Sequence, residues 1–355
     1  MRTRSSCRGM PDRREFIRLG SAAGAGAVAA VSLPACRREE KRRWSDRAYR
    51  KAGSSKVAIL PADSYEGDLR DVVTVGLRMF PLEIAGRRVV LKPNLVEFDP
   101  QGVINTHPAL IGATIESLRT LGASEVVVAE GPGHRRDNEY LWRASGLAEM
   151  LSDTGTPYVD LNSDAVRPVR LASDFTGIGT LYLPQTILDA DLLISMPKLK
   201  THHWVGVTLS MKNLFGIVPG TVYGWPKNLL HWAGIGSSIL DINASLEVPR
   251  FNLVDGIVGM EGNGPIQGSA KPSGVLVLGA DPVAVDATCA RLMNIDPSKV
   301  AYIREADAFL GNASAERIVQ LGASLEAHQK DFRVLDAFEN LKFDAMSFES
   351  RTAAG

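Results

Sequence analysis

The sequence predicts an α/β domain, a mainly parallel sheet with helices on both faces, arranged as one large domain or two closely packed lobes. Three observations predict it. Short apolar runs have the length and continuity of strands buried on both faces: Val57–Leu60, Val89–Leu91, Val126–Ala129, Leu192–Met196, Leu253–Val254 and Val275–Leu278. Amphipathic segments lie between several of them: Leu69–Phe80, Ala109–Leu121, Tyr140–Leu151 and Val283–Met293. Polar or glycine-rich stretches follow directly behind the strands, where an open α/β sheet opens its ligand crevice.

Taken in chain order, Val57–Leu60 begins the sheet and Leu69–Phe80 supplies the first amphipathic segment. After Val89–Leu91, residues Leu110, Ile111, Thr114, Ile115 and Leu118 share one helical face. Thr106 is the expected cap of that helix, with Pro108 in its first turn and Gly122 past its end. Val126–Ala129 leads to Tyr140–Leu151, expected as one helix, and Asp281-Pro282 opens Val283–Met293 by the same capping logic. No internal repeat is visible.

The N-terminus reads as an address. Asp12-Arg13-Arg14-Glu15-Phe16-Ile17-Arg18 has the form of a twin-arginine export motif, followed by an uncharged Ala/Gly-rich run, Leu19–Ala35. That run ends Leu33-Pro34-Ala35-Cys36, which resembles a lipoprotein cleavage box. Two processing outcomes follow: lipid on Cys36, tethering the protein to a membrane, or plain cleavage near Ala35. The expected organisation is a signal over 1–36, a basic flexible linker over 37–55 and the α/β domain over 56–345. The expected location is the periplasmic or extracytoplasmic face, reached through the twin-arginine export machinery.

The chain has 355 residues, 45% hydrophobic and 23% charged, enough to bury a full core. Its formal charge is zero, but from Ala52 onward 26 Lys/Arg stand against 35 Asp/Glu, a net −9. An acidic body argues against nucleic acid as a partner, because phosphate neutralisation needs a basic surface. The cysteines are Cys7, Cys36 and Cys289, with no CxxC pair, so an intrinsic iron–sulfur cluster is not expected.

The candidate chemistry lies behind the strands. Lys92-Pro93-Asn94, Glu130–His134, Lys198–His203, Asp255–Gly268 and Ala280-Asp281-Pro282 each follow an apolar run, and five such segments on one sheet edge would form a crevice. Lys198 and Lys200, two apart in an extended segment, point to the same side. With Lys92, and with Lys212 beside Asn213, they supply four cations for one anionic group, since an ammonium is a compact charge with rotatable donors. His202, within the lysine segment, is the candidate for proton transfer or metal ligation. Asp255 and Asp286 are expected to orient the cations, and Gly262 and Gly264 to belong to an anion-binding nest of amides. Trp204, Tyr223, Trp225 and Trp232 are expected in the core, and His107 and His328 in structural roles.

Several of these blocks together resemble the domain of unknown function 362 family: Lys92-Pro93-Asn94, the KLKTH of Lys198–His202, residues Gly206–Gly216, DGIVGMEGNGP from Asp255 to Pro265, Gly279–Asp286 and Ala290–Met293. The resemblance covers roughly Val89 to Ala306. Many relatives carry a ferredoxin-like module with cysteine ligands, which this chain does not show. A fainter similarity links Lys200–Gly220 with the nickel-pincer lactate racemase type, where lysine and histidine hold the cofactor. A metal or metal-containing cofactor is one expectation, since the twin-arginine route carries folded proteins often with cofactors already inserted, and a small anionic ligand for the lysines is another. The function expected first is an enzyme with a cationic crevice, in which Lys200, His202, Asp255 and Asp286 act on the ligand and Lys92, Asn94, Lys198, Lys212, Asn213, Gly262 and Gly264 hold it. The alternatives are a ligand-binding lipoprotein without catalysis and an accessory or maturation protein for a redox partner.

Overall fold

The computed structural model describes residues 43–44, 51–133 and 138–344. The export motif, the Cys36 box and His134 lie outside the described residues. Those residues fall within one unit, 42–355.

The strands among them are β1 (Ser55–Pro61), β2 (Arg88–Pro93), β3 (Glu125–Glu130), β4 (Tyr158–Asp160), β5 (Val166–Arg170), β6 (Thr180–Pro184), β7 (Leu192–Met196), β8 (Lys198–His202), β9 (Gly206–Thr208), β10 (Arg250–Asn263), β11 (Gln267–Gly279) and β12 (Ile318–Gly322). The main sheet has the order β12-β1-β11-β10-β7-β2-β3-β4, with β8 and β9 attached beside β10. β10, β7, β2, β3 and β4 run parallel, whereas β11 is antiparallel to both β10 and β1. β5 and β6 form a separate antiparallel pair.

Alternation along the strands fills two cores. Val57 and Ile59 join one cluster, with residues of the helices Ile235–Ser245, Pro282–Leu292 and Ala301–Asp307. Ala58 and Leu60 join the other, with residues of the helices Leu69–Arg78 and Pro108–Thr120. Successive side chains of a strand point to opposite faces, so an unbroken apolar run requires cover on both.

Helix starts follow local chemistry. Asp281 caps Pro282–Leu292 by accepting from Val283 N at 2.9 Å and Ala284 N at 3.2 Å. His107, not Thr106, caps Pro108–Thr120, its Nδ1 accepting from Ala109 N at 3.2 Å. The Thr106 hydroxyl is engaged elsewhere: it accepts from Asn94 N at 2.8 Å and donates to Met196 O at 2.5 Å, tying two strand ends together. The segment expected as one helix at Tyr140–Leu151 is two, Asn138–Ala144 and Leu147–Asp153, separated at Gly146, whose φ of 76° breaks a right-handed helix. The expected linker is tied down where it is described. Trp44 stacks on Phe309 at 4.7 Å, and Lys51 pairs with Asp307 at 2.9 Å.

The glycine-rich stretch after Asp255 is not a loop nest. It continues β10 into a long hairpin with β11, paired out to Asn263 and Gln267. Its glycines serve close backbone approach: a Cβ on Gly259 would stand 2.8 Å from Leu199 O, and one on Gly264 2.0 Å from Thr201 O. The Gly262 and Gly264 amides are spent on the carbonyls of Arg333 (2.8 Å) and Gly262 (2.9 Å). The hairpin also reverses the chain. Gly279 pairs with Asn252 near the start of β10, so Ala280-Asp281-Pro282 sits at the opposite sheet edge from the other polar segments.

Candidate functional site

Beyond the carboxyl ends of β2, β3 and β8 lies a cavity of about 340 Å³. Parallel strands place these ends side by side, so sequence-distant loops converge on one crevice. Lys92, Asn94, Lys200, His202, Lys212 and Asn213, all expected at the site, line it. So do Glu130, which opens one of the expected segments, and Thr208, Lys227 and His231, which residue patterns alone did not single out as site residues.

Lys92 and Glu130 form its buried base. Their side chains are 1% and 2% exposed and make a short ion pair. The Lys92 ammonium also donates to Asn213 Oδ1 at 3.2 Å and Pro93 O at 2.9 Å. Glu130 accepts from the amides of Gly131 at 2.9 Å and Leu95 at 3.2 Å. Gly216 makes room for this pair, because a Cβ there would lie 2.4 Å from Glu130 Oε1 and 2.6 Å from Lys92 Nζ. Burial lowers the Lys92 pKa while the Glu130 carboxylate opposes that shift.

The other amines have no carboxylate. Lys200, fully buried, donates to Ile104 O at 2.9 Å and Pro265 O at 3.3 Å. Burial first, then the charges of Lys212, Lys198 and Lys92, push its pKa well down. Lys227 stands at a left-handed φ of 67° and reaches three carbonyls, Gly131 (2.7 Å), Gly216 (3.0 Å) and Phe215 (3.3 Å). Burial pushes its pKa down to about 7. Lys212 is partly exposed and has no hydrogen-bond acceptor among the described residues; its ammonium lies 5.7 Å from the centre of the Phe215 ring. Desolvation and then Lys92 push it down to about 8.

Four amines thus surround one carboxylate that is already paired, counting the described residues. Burying an unpaired ammonium costs several kcal/mol, roughly, and the group relieves that cost by losing its proton or gaining an anion. Two buried polar atoms of the wall also have no partner among the described residues: Asn94 Oδ1 and Thr208 Oγ1. Such atoms are rare in a finished core and common where a ligand completes the bonding.

His202 is buried, and its Nδ1 accepts from the Trp204 amide at 3.0 Å. A backbone N–H can only donate, so Nδ1 carries the lone pair and the neutral ring carries its proton on Nε2. Desolvation, followed by the neighbouring Lys212, His203 and Lys200 charges, drives its pKa far below the usual histidine range. The ring is therefore a neutral N–H donor, a state suited to polarising a ligand oxygen rather than accepting its proton. That differs from the proton-transfer role expected of it. A metal bound at Nε2 would require the proton on Nδ1, against the Trp204 amide.

The remaining expected residues lie outside this wall. Lys198 pairs with Asp255 at 2.9 Å and donates to Tyr65 Oη at 2.7 Å, so its charge is satisfied in a separate buried network. Asp255 also accepts from Tyr65 Oη at 2.7 Å and His107 N at 3.0 Å. Asp286 accepts from the amides of Ser210 (2.7 Å) and Met211 (3.1 Å) and so fixes the short helix Ser210–Asn213 that carries Lys212 and Asn213. Burial raises the Asp286 pKa to about 8, against the pull of those two amides. Among the described residues neither aspartate bonds to a lining lysine; Asp255 holds Lys198 and the His107 amide, and Asp286 the amides of Ser210 and Met211. Trp204 and Trp232 were expected in the core but are 61% and 81% exposed, with Trp204 at the cavity wall.

The model of the family described as "Domain of unknown function (DUF362)" matches residues 89–291, more than half of the chain. The chain is 29% identical over 263 residues to the "Thylakoid-associated protein sll1697" of Synechocystis sp., spanning 69% of this chain and 76% of that protein. Among solved structures, the lactate racemase apoprotein of Thermoanaerobacterium thermosaccharolyticum gives a TM-score of 0.40 at 14% identity, over 69% of this chain and 58% of that one. A structural-genomics protein of Thermotoga maritima gives 0.36 at 12% identity, over 65% and 59%. The chain thus spans less than two thirds of either solved structure.

Proposed function

This chain belongs to the DUF362 family, and on that footing we propose that its cavity is the active site of an enzyme acting on a small anionic molecule. The observation that carries the proposal is the imbalance of charge in the wall: Lys200, Lys212 and Lys227 have no carboxylate, and Lys212 has no acceptor among the described residues. In this reading Lys212 meets the anionic group, Lys200 supports it from behind, and His202 Nε2–H donates to a ligand oxygen. Asn94 Oδ1 accepts from a ligand hydroxyl or amine, and Thr208 completes the polar contacts.

A bare metal ion does not fit this donor set. Among the described residues no three of His, Cys, Asp and Glu converge to hold one, and the wall repels cations. An organic cofactor or substrate with anionic groups fits by charge. A crystal soaked in selenate tests the location. The expected anomalous peak lies between Lys212, Lys200 and His202; a peak only at other lysines would contradict the assignment.

The N-terminal signal supports an exported protein held at a membrane, and the thylakoid association named for the Synechocystis relative supports a membrane-proximal site. No helix among the described residues is long and apolar enough to cross a membrane. The anchor in this reading is lipid on Cys36, with basic residues from the stretch before Lys51 against anionic headgroups. Cys36→Ala should move the protein from the membrane to the soluble fraction. Retention of the variant in membranes would count against the lipid.

A further inference from the structure

We propose that Lys212 is a nucleophile that forms a covalent imine with the carbonyl carbon of a 2-oxo acid held in the cavity. This rests on the reading of the cavity as an anion site and deepens it by naming the substrate class. The geometry distinguishes Lys212 from every other amine of the wall. Lys92 is bound to Glu130, and Lys200 and Lys227 each donate to two or more carbonyls. Lys212 bonds to no protein acceptor among the described residues and stands over the Phe215 ring, free to rotate toward a ligand. A lysine becomes a nucleophile when desolvation or a neighbouring cation frees its lone pair at moderate pH. Both conditions hold, and they bring Lys212 down to about 8.

The surroundings complete the chemistry. Lys200 donates to the carboxylate of the oxo acid, an anion that favours the ammonium form which burial and the neighbouring lysines disfavour. His202, a neutral N–H donor, polarises the carbonyl oxygen. The Thr208 hydroxyl, which has no partner among the described residues, relays the proton. The amine lone pair attacks the carbonyl carbon, forming the C–N bond while the C=O π electrons move to oxygen. One proton passes from the nitrogen to that oxygen, a second returns from solvent in place of the one the ammonium gave up to become the nucleophile, and the oxygen leaves as water. An ammonium and a ketone thus give an iminium and one water, with charge conserved. The iminium then serves as an electron sink for the bond next to it.

The full chain, incubated with pyruvate and cyanoborohydride, tests this by intact mass and peptide mapping. The expected result is one reduced pyruvyl adduct, on the peptide holding Lys212, with a trapping rate that rises as pH passes about 8. Lys212→Arg should lose the adduct while retaining its circular dichroism, and Lys212→Met should do the same should arginine disturb the wall. An adduct spread over exposed lysines, or centred on Lys200, overturns the proposal. Pyruvate binding by calorimetry without any adduct overturns the imine and leaves the anion site standing. Neither binding nor adduct defeats both.

Discussion

Glu130→Ala is expected to destabilise the fold by about 3–5 kcal/mol, the cost of leaving one partner of a buried ion pair uncompensated. The side chains of Lys92 and Glu130 are 1% and 2% exposed, so water cannot replace the lost carboxylate. The amides of Leu95 and Gly131 lose their acceptor at the same time. Urea denaturation followed by far-UV circular dichroism measures the loss. Glu130→Gln, which keeps an acceptor but not the charge, should fall between wild type and Ala. A double variant, Lys92→Met with Glu130→Leu, should recover much of the stability, because paired apolar replacements remove the desolvation cost from both sides. Full stability of Glu130→Ala would mean that the pair does not organise the crevice.

Lys212→Met is expected to do the opposite: leave stability nearly unchanged and weaken anion binding. Lys212 has no bonded partner among the described residues to lose, and methionine fills a similar volume against Phe215. A hydrogen bond to a charged group contributes about 1.5–3 kcal/mol, so phosphate affinity should fall on the order of 10- to 100-fold. Calorimetric titration with inorganic phosphate reads this directly. Variants of Lys198, whose charge is satisfied by Asp255, should instead lose stability rather than first affecting affinity.

Much of the architecture is legible in the sequence, for a physical reason. A strand covered on both faces must be apolar throughout, and VAIL, VVL and VVVA admit few other readings. The antiparallel insertion of β11 is not legible, because an apolar run carries no sign of direction. That is why Ala280-Asp281-Pro282 falls at the other edge. The site was legible in part. The position of Lys92, Lys200, His202 and Lys212 behind buried strands pointed to one crevice, and they line one. Which lysine faces the cavity and which faces a carboxylate depends on partners distant in sequence, as Tyr65 and Asp255 are for Lys198. Lys227 left no signal at all: its role depends on a left-handed backbone and three carbonyls brought together by the fold. The neighbours of His202 mark it in the sequence, but its tautomer is set by the Trp204 amide, which the folded turn brings onto Nδ1.

The most direct test of the cationic cavity is the phosphate titration of the wild-type chain repeated across pH. The anion requires the ammonium form of Lys212, whose pKa in the free protein is about 8. Below that value the charge is present and affinity is high. Above it the amine must take up a proton on binding, so affinity should fall by about tenfold per pH unit, the linkage expected for one proton. The fall should disappear in Lys212→Met. Binding that is absent, or that stays level through pH 8 and is equal in the variant, would contradict the account.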